Sequence, residues 1–495
     1  MLKYKLHFLR EGKTFEASAG MTVLEAQIQA KLAPDAPCGG LGKCGKCKAW
    51  IEEKEVLSCQ TIVDRDMTVD TRRGNSRAQI LMEGEGRETD FSLNSLSEQV
   101  MHPLLAAVDI GTTSVVAYLL DGKTGEQLDS DSMLNPQKQY GADVVMRGSY
   151  AMEHGGNVLA QCIRDAVQEL LGSIAARNGR CMEDIVEIVM VGNSCMHHLF
   201  LNIPLDSLVR VPYEPNVKEA LVLKAADYIP GVYPKAELKW LPNIGGFVGA
   251  DTAGCLLSAR IDLREKMTLL VDIGTNGEMA LGNRDSMNAC STAAGPAFEG
   301  AKITCGMRGS DGAIDAVWIE ENEIKYHVIG DTEATGICGS GLLDAAACLL
   351  KLGKIEESGH MEETFYFTDQ VFLNQKDIRE LQLAKAAIGA GIRILCSHRD
   401  IRVDQIEEVL LAGAFGNYLN PHSACAIGML PRELEGKIVS IGNAAGEGAR
   451  IAVRDQKEFE TGCRIASEVE FLELATKKEF QDIYVDELEF PEEGI

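Results

Sequence analysis

Cys38, Cys44, Cys47 and Cys59 follow the spacing Cys-x5-Cys-x2-Cys-x11-Cys, and the first three lie in the single stretch PCGGLGKCGKC. Four thiolates can hold zinc or an iron–sulfur cluster. Zinc ribbons pair two short Cys-x2-Cys knuckles, whereas here there is one short pair and a glycine-rich loop. Gly39, Gly40, Gly42 and Gly45 allow backbone N–H groups to turn toward the sulfurs of an anionic cluster. This pattern favours a cluster that carries one electron at a time, with zinc as the alternative.

A second kind of chemistry is written twice. AAVDIGTTSVVAYLLD (106–121) and LLVDIGTNGEMALG (269–282) each read as strand, tight turn and strand around an Asp-Ile-Gly-Thr core beginning at Asp109 or Asp272. Gly111 and Gly274 leave backbone N–H groups open to phosphate oxygens, and Thr112, Thr113, Thr275 and Asn276 add hydroxyl and amide contacts. Asp109 and Asp272 cannot face phosphate without repulsion. Their roles are then to hold Mg2+ through water or to orient an attacking water. The internal repeat implies two related subdomains facing one another. ATGICGSGLLDAAACLL (334–350) is a loop opening an apolar helix, so Gly339, Ser340 and Gly341 offer free N–H groups to an anion. In VLLAGAFGNYL (409–419) a buried strand runs into a turn, and Gly413, Ala414 and Phe415 suit a nucleoside face. No G-x-x-x-x-G-K-[ST] occurs, which excludes a P-loop, and GICGSG lacks the dinucleotide glycine spacing.

The elements around these motifs divide the chain. Residues 1–75 predict a small mixed sheet with one helix: LKYKLHFL and KTFEASAG as a hairpin, MTVLEAQIQAKLA as a helix capped by Thr22 and Glu25, then KAWIEE, EVLSC and DMTVDT as strands. Residues 76–104 show no sustained period and predict a tether that lets the first domain move. Residues 105–265 and 266–475 are the two repeat subdomains, and 476–495 a C-terminal tail. DIRELQLAKAAIGAGIRIL (377–395) has the apolar stripe of a core helix. Cys195 is expected to be a core thiol. His197 and His198, about 100° apart on a helix, are not expected to chelate one ion together, one facing the core and one the domain interface.

The chain has 495 residues, with 48 Lys and Arg against 74 Asp and Glu, for a net charge of −26. Such a field repels nucleic acid and acidic membranes, so neither is an expected partner. The N-terminus is charged, without a signal peptide's apolar core, and no run approaches the ~20 apolar residues of a spanning helix. The cytoplasm is the expected compartment, in keeping with 15 cysteines scattered mostly through apolar segments.

The cysteine spacing is one residue longer in its first gap than the plant-type ferredoxin pattern and resembles the C-x5-C-x2-C variant of the β-grasp [2Fe–2S] fold. The paired DIGT loops with LLAGAFGN resemble the acetate and sugar kinase/Hsp70/actin superfamily. VMVGNSCMHHLF, LPNIGGFVGADTAG and AAGPAFEGAKITCGM look like one branch of it, the reductive activators of corrinoid-dependent enzymes. The tether is shorter than in longer members of that branch. The resemblance implies an α/β and α+β multidomain fold, a [2Fe–2S] ferredoxin joined to a duplicated ATPase. It implies ATP and Mg2+ as cofactors, and reduction of Co(II) to Co(I) in the corrinoid protein of a methyltransferase system. An external electron donor is implied as well, and a homodimer is left open. A plant-type cluster sits near about −400 mV. Each further 100 mV uphill for one electron costs roughly 2.3 kcal/mol, which nucleotide-driven closure can supply.

Three other functions stay open on the residues. A small-molecule kinase of the same superfamily has no use for the cysteines. A nucleotide-binding redox sensor would hold ATP without turnover. An activator of another client metalloenzyme would need bridging cysteines near a subunit interface, for which Cys290 and Cys305 are the nearest candidates.

Overall fold

A computed structural model describes the chain apart from residues 1, 10, 11, 31, 33, 35, 37–39, 41, 43–46, 53, 71–81, 83, 85, 86, 88, 93, 476 and 493–495, and the side chain of Ala414. The N-terminal sheet runs in the order Lys13–Ser18, Lys3–Phe8, Met67–Asp70, Lys48–Ile51, Lys54–Leu57. Its helix Val23–Gln29 starts on a complete capping box. Thr22 Oγ1 accepts from the Glu25 N–H at 3.1 Å, and Glu25 accepts from the Thr22 N–H at 2.7 Å. Leu6, Phe8, Val23, Ala26, Ala49 and Val69 form the core between helix and sheet.

Two six-stranded sheets dominate the rest, beside a three-stranded and a two-stranded one, and five strands of each repeat one topology. In the first, Leu104–Ile110, Ser114–Asp121 and Gln127–Leu134 form an antiparallel meander, and Ile185–Gly192 and then Glu237–Trp240 extend it in parallel on the other side. In the second, Thr268–Ile273, Gly277–Asn283 and Ser286–Thr292 form the meander, and Glu408–Ala412 and Ile438–Gly442 the parallel side. The first strands Leu104–Ile110 and Thr268–Ile273 and the parallel strand Ile185–Gly192 are almost wholly buried and largely apolar, as strands covered on both faces are. Helices Ala250–Ala259 and Ala444–Arg454 cross between the sheets in backbone contact: a Cβ on Gly448 would fall 2.1 Å from the Gly254 carbonyl oxygen. One core therefore spans the repeat boundary, joining Val108 and Val191 to Leu410, Ile441 and Ala449.

Two peripheral segments differ from expectation. The described residues between Met82 and His102 do not cross open solvent but lie against the ATPase body. Arg87 pairs with Glu458, Ser92 Oγ donates to Asp455 at 2.7 Å, and Asn94 donates to Glu187. The C-terminal residues are also more than a tail. Helix Lys478–Asp486 and buried Phe490 return onto helix Gln375–His398, where Gln382 donates to the Leu488 carbonyl at 2.7 Å. Among the described residues no helix is long and apolar enough to cross a membrane.

Candidate nucleotide cleft and cysteine pair

The two DIGT segments are equivalent hairpins. Asp109 lies opposite Val116 and Asp272 opposite Glu278, each one residue before its strand ends. Gly111 N donates to Ser114 O, and Gly274 N to Asn276 O, both at 2.9 Å. The loops meet on one side chain: Thr113 Oγ1 donates to one oxygen of Glu299 and Thr275 Oγ1 to the other, each at 2.5 Å. Glu299 closes the short helical turn Pro296–Glu299, which stops at Gly300 with φ 75°. Here a carboxylate occupies both hydroxyls that the sequence reading expects to meet phosphate oxygens.

Behind the first loop lies a buried cation. Arg147 is fully buried, and its guanidinium donates to the carbonyls of Thr112 at 2.6 Å and Gly141 at 2.9 Å and to the Met196 sulfur at 3.4 Å. It makes no ion pair among the described residues. Burial lowers its pKa to about 10, so it stays charged and lends positive potential to the loop. Asn193 Nδ2 donates to Thr112 Oγ1 at 3.0 Å, and Asn135 Nδ2 to the Gly111 carbonyl at 2.8 Å, which fixes the loop from below.

In front are carboxyls with little compensation. Burial raises Asp109 to about 7, Asp272 to about 6 and Asp251 to about 8, and it holds Glu278 well above the ordinary range. The negative charge of Asp272 adds to the effect on Asp109, Asp251 and Glu278. Buried acids so arranged gain by losing or sharing charge, and among the described residues no three His, Cys, Asp or Glu side chains come together as a group that could hold a metal ion. Asn443 Nδ2 donates to Asp109 Oδ2 at 3.1 Å, and the Cys255 thiol lies 3.9 Å from Asp272 Oδ2.

Gly339, Ser340 and Gly341 open helix Gly339–Lys351 and are buried. A Cβ on Gly339 would fall 2.0 Å from the Phe298 carbonyl oxygen, and one on Gly341 2.3 Å from that of Ile314, so close packing requires both glycines. Ser340 Oγ donates to the Asp315 carbonyl at 2.8 Å. Gly413 begins the short helix Gly413–Tyr418 with φ 82°, and a Cβ there would meet Asp272 Oδ1 at 2.5 Å. It therefore abuts the acidic end of the cleft. Phe415 stacks on Phe298 with ring centroids 4.9 Å apart. The side chain of Ala414 lies outside the described part.

Cys38 and Cys44 lie outside the described residues. Cys47 and Cys59 come together with sulfurs 3.3 Å apart, neither in a disulfide, because the Ser58 N–H donates to the Cys47 carbonyl at 2.7 Å. Leu24, Ala36, Ile28 and Leu57 form an apolar shell around them. Gly40 and Gly42 take φ of 86° and 70°, and a Cβ on Gly42 would strike the Gln60 side chain at 2.3 Å. Two converging thiols in an apolar shell, beside a loop that only glycine can follow, fit the thiolate set of an iron–sulfur cluster.

The geometry is matched by known proteins. Residues 6–75 match the model for a 2Fe-2S iron-sulfur cluster binding domain, 104–264 the RACo middle region, and 266–495 the C-terminal domain of RACo, the ASKHA domain. The corrinoid activation enzyme RamQ of Eubacterium limosum is 34% identical, over 90% of this chain and 92% of that one. The chain belongs to the corrinoid activation enzyme family. A second relative of this activator, the [Co(II) methylated amine-specific corrinoid protein] reductase of Methanosarcina barkeri, is 27% identical over 79% of this chain and 77% of its own. A solved reductive activator for corrinoid, iron-sulfur protein shares 27% identity with a TM-score of 0.73, covering 99% of this chain and 98% of that one.

Glu299, Arg147, Asp251, Glu278 and Asn443 escaped the sequence reading of this activator. Asp251, Glu278 and Glu299 stood inside quoted motifs, GADTAG, TNGEMALG and GPAFEG, and were the findable ones. Cys195 is buried, as expected, with burial raising its thiol to about 12. His197 and His198 are both buried within the first subdomain, their Nδ1 atoms 3.3 Å apart, so neither faces the domain interface as expected. His198 Nδ1 donates to the Ser194 carbonyl at 2.7 Å and Nε2 accepts from the Asn216 N–H at 3.0 Å, which latches the loop after the helix.

Proposed function

We propose that this protein is an ATP-dependent reductive activator that returns the Co(II) corrinoid of a methyltransferase-system protein to Co(I). The observation that carries this reading is the joining, in one chain, of a converging cysteine pair in a ferredoxin-type sheet with two phosphate loops clasped across one cleft. Cys38, Cys44, Cys47 and Cys59 would hold a [2Fe–2S] cluster, which supplies one electron per turnover and is re-reduced by an external donor. Held there, the cluster would give up one electron for the one that cobalt gains, so the reaction would balance without a further reactant.

The chain's own residues act on the nucleotide. Gly111, Thr112, Thr113, Gly274, Thr275 and Asn276 bind phosphate oxygens, with Gly339, Ser340 and Gly341 on the flank. Gly413, Ala414 and Phe415 line the cleft beside Asp272. Asp109 and Asp272 hold Mg2+ through water or orient the attacking water. Phosphate displaces Glu299 from Thr113 and Thr275, which ties nucleotide entry to movement of one repeat against the other. The reduced thiols suit the cytoplasm.

The test is anaerobic. Reduced protein is mixed with a Co(II) corrinoid protein of a methyltransferase system, with and without MgATP, and the Co(I) absorption band is followed. ATP-dependent Co(I) is expected, and it is expected to vanish in Asp272→Ala while the cluster spectrum stays. Co(I) formation indifferent to ATP, or unaffected by Asp272→Ala, overturns the assignment.

A further inference from the structure

The linker does more than lie against the ATPase, because a continuous line of hydrogen bonds joins it to the nucleotide cleft. Asn443 caps helix Ala444–Arg454, its Oδ1 accepting from the Gly446 N–H at 2.9 Å. That bond fixes the amide's orientation, so Nδ2 is a donor on the other side. Its two hydrogens go to Asp109 Oδ2 at 3.1 Å and to the Tyr118 hydroxyl at 3.3 Å. The Tyr118 hydroxyl spends its own hydrogen on the Met82 carbonyl. Every donor and acceptor in the line is thereby assigned: Asp109, Asn443, Tyr118, Met82.

Backbone contact reinforces the far end. Gly84 pairs with Gly442 as an isolated antiparallel bridge, one residue from Asn443. The approach is so close that a Cβ on Gly84 would fall 2.8 Å from the Asn443 carbonyl oxygen and 3.1 Å from Glu447 Cβ. Farther along, the linker is fixed to the body. Arg87 pairs with Glu458, Arg454 Nη2 donates to the Thr89 carbonyl at 3.2 Å, and the Ser92 N–H donates to the Arg454 carbonyl at 3.1 Å. Among the described residues, Met82 and Gly84 are thus the linker contacts nearest the ferredoxin domain, and they are the ones bonded to the cleft.

We propose that Asn443 and Tyr118 are positioning residues that couple nucleotide binding at Asp109 to the docking of Met82 and Gly84, and so to the reach of the ferredoxin domain. The proposal rests on the nucleotide reading of the cleft given above. When Mg2+ and phosphate engage Asp109, its carboxylate turns from Asn443. The amide then loses its acceptor on Asp109, and its hold on the Tyr118 hydroxyl weakens. The Met82–Gly84 contact loosens, and the electron carrier is released toward its acceptor only when nucleotide is bound. A free tether would instead let the electron carrier wander in every state.

The full-length protein with its cluster is compared with Tyr118→Phe and Gly84→Ala, the second a steric wedge that removes no hydrogen-bonding group. Hydrogen exchange of the amides around Gly84 is measured with and without a non-hydrolysable MgATP analogue, whose affinity is measured in the same samples. Wild type is expected to exchange about five- to tenfold faster with the analogue, the factor that one hydrogen bond of about 1–1.4 kcal/mol corresponds to. Both variants are expected to bind the analogue, to exchange fast without it, and to show no further change with it. ATP stimulation of Co(I) formation is expected to fall by a similar factor. Analogue binding that leaves wild-type exchange unchanged overturns the coupling, as does a nucleotide-dependent change preserved in both variants. No analogue binding by wild type overturns the coupling and the nucleotide reading together.

Discussion

Glu299 accepts a hydrogen bond from Thr113, 186 residues away in the chain and in the opposite repeat, while its other oxygen is held by Thr275. One carboxylate thus clasps both halves of the cleft and holds the two hydroxyls proposed to meet phosphate. Glu299→Ala is expected to tighten MgATP binding by about tenfold, the effect of freeing two hydrogen bonds of about 1 kcal/mol each less relaxation losses. Calorimetric titration checks this. Unchanged or weaker binding would mean that the threonines are not phosphate contacts.

Arg147 is a buried guanidinium whose hydrogen-bond partners are two carbonyls and a thioether. A buried charge so weakly compensated gains from an incoming anion. Arg147→Met is expected to weaken MgATP binding by at least tenfold, and to lower unfolding stability by about 1–3 kcal/mol through the orphaned Thr112 and Gly141 carbonyls. Arg147→Lys keeps the charge without the fork and is expected to lose stability but recover most of the affinity. Equal affinity losses in both variants would assign Arg147 to packing alone.

Cys59 sits in the short helical segment Ser58–Gln60, with its sulfur against that of Cys47. Cys59→Ser is expected to remove the visible absorption and most of the iron, because serine lacks the soft sulfur that iron–sulfur ligation uses. The ATPase body has its own cores, so nucleotide binding is expected to persist. Iron content at the wild-type level would remove Cys59 from the ligand set.

What could be read from the chain was what is local. The Thr22–Glu25 capping box lies within four consecutive residues and appears as written. The two Asp-Ile-Gly-Thr hairpins announce themselves by repetition, and the sheets repeat with them. Arg147 and Asn443 could not be read so, because each acts on a loop from another segment and looks locally like a surface charge or a turn residue; Glu299 stands in the quoted GPAFEG, but its partner Thr113 is brought to it only by the fold. The linker was misjudged for the same reason. Its polar, aperiodic composition reads as free chain, yet the ATPase supplies the partners for Ser92, Asn94 and Arg87. His197 and His198 show the converse error. Helical geometry separates their Cβ directions, but the rings still meet inside the subdomain.

The cleft carboxyls also set a pH dependence. Asp251 faces Asp109, Asp272 and Glu278 and accepts from the Thr252 N–H at 2.7 Å. Its folded pKa of about 8 lies above the ordinary 3.8, so the folded chain holds the proton more tightly than the unfolded chain. Below the unfolded value both states are protonated and the full stability is present. As pH rises from there toward about 8 the unfolded state ionises first, and stability is lost at up to about 1.4 kcal/mol per pH unit for this group. Asp251→Asn is expected to flatten the nucleotide-free stability profile between about pH 5 and pH 8 by that order. Mg2+ with nucleotide is expected to flatten the wild-type profile too, since a cation favours the ionised forms. Denaturant titrations across this range decide it. Parallel wild-type and Asp251→Asn profiles would show that Asp251 is ionised in the folded protein, and would take it out of the acidic set at the cation end of the cleft.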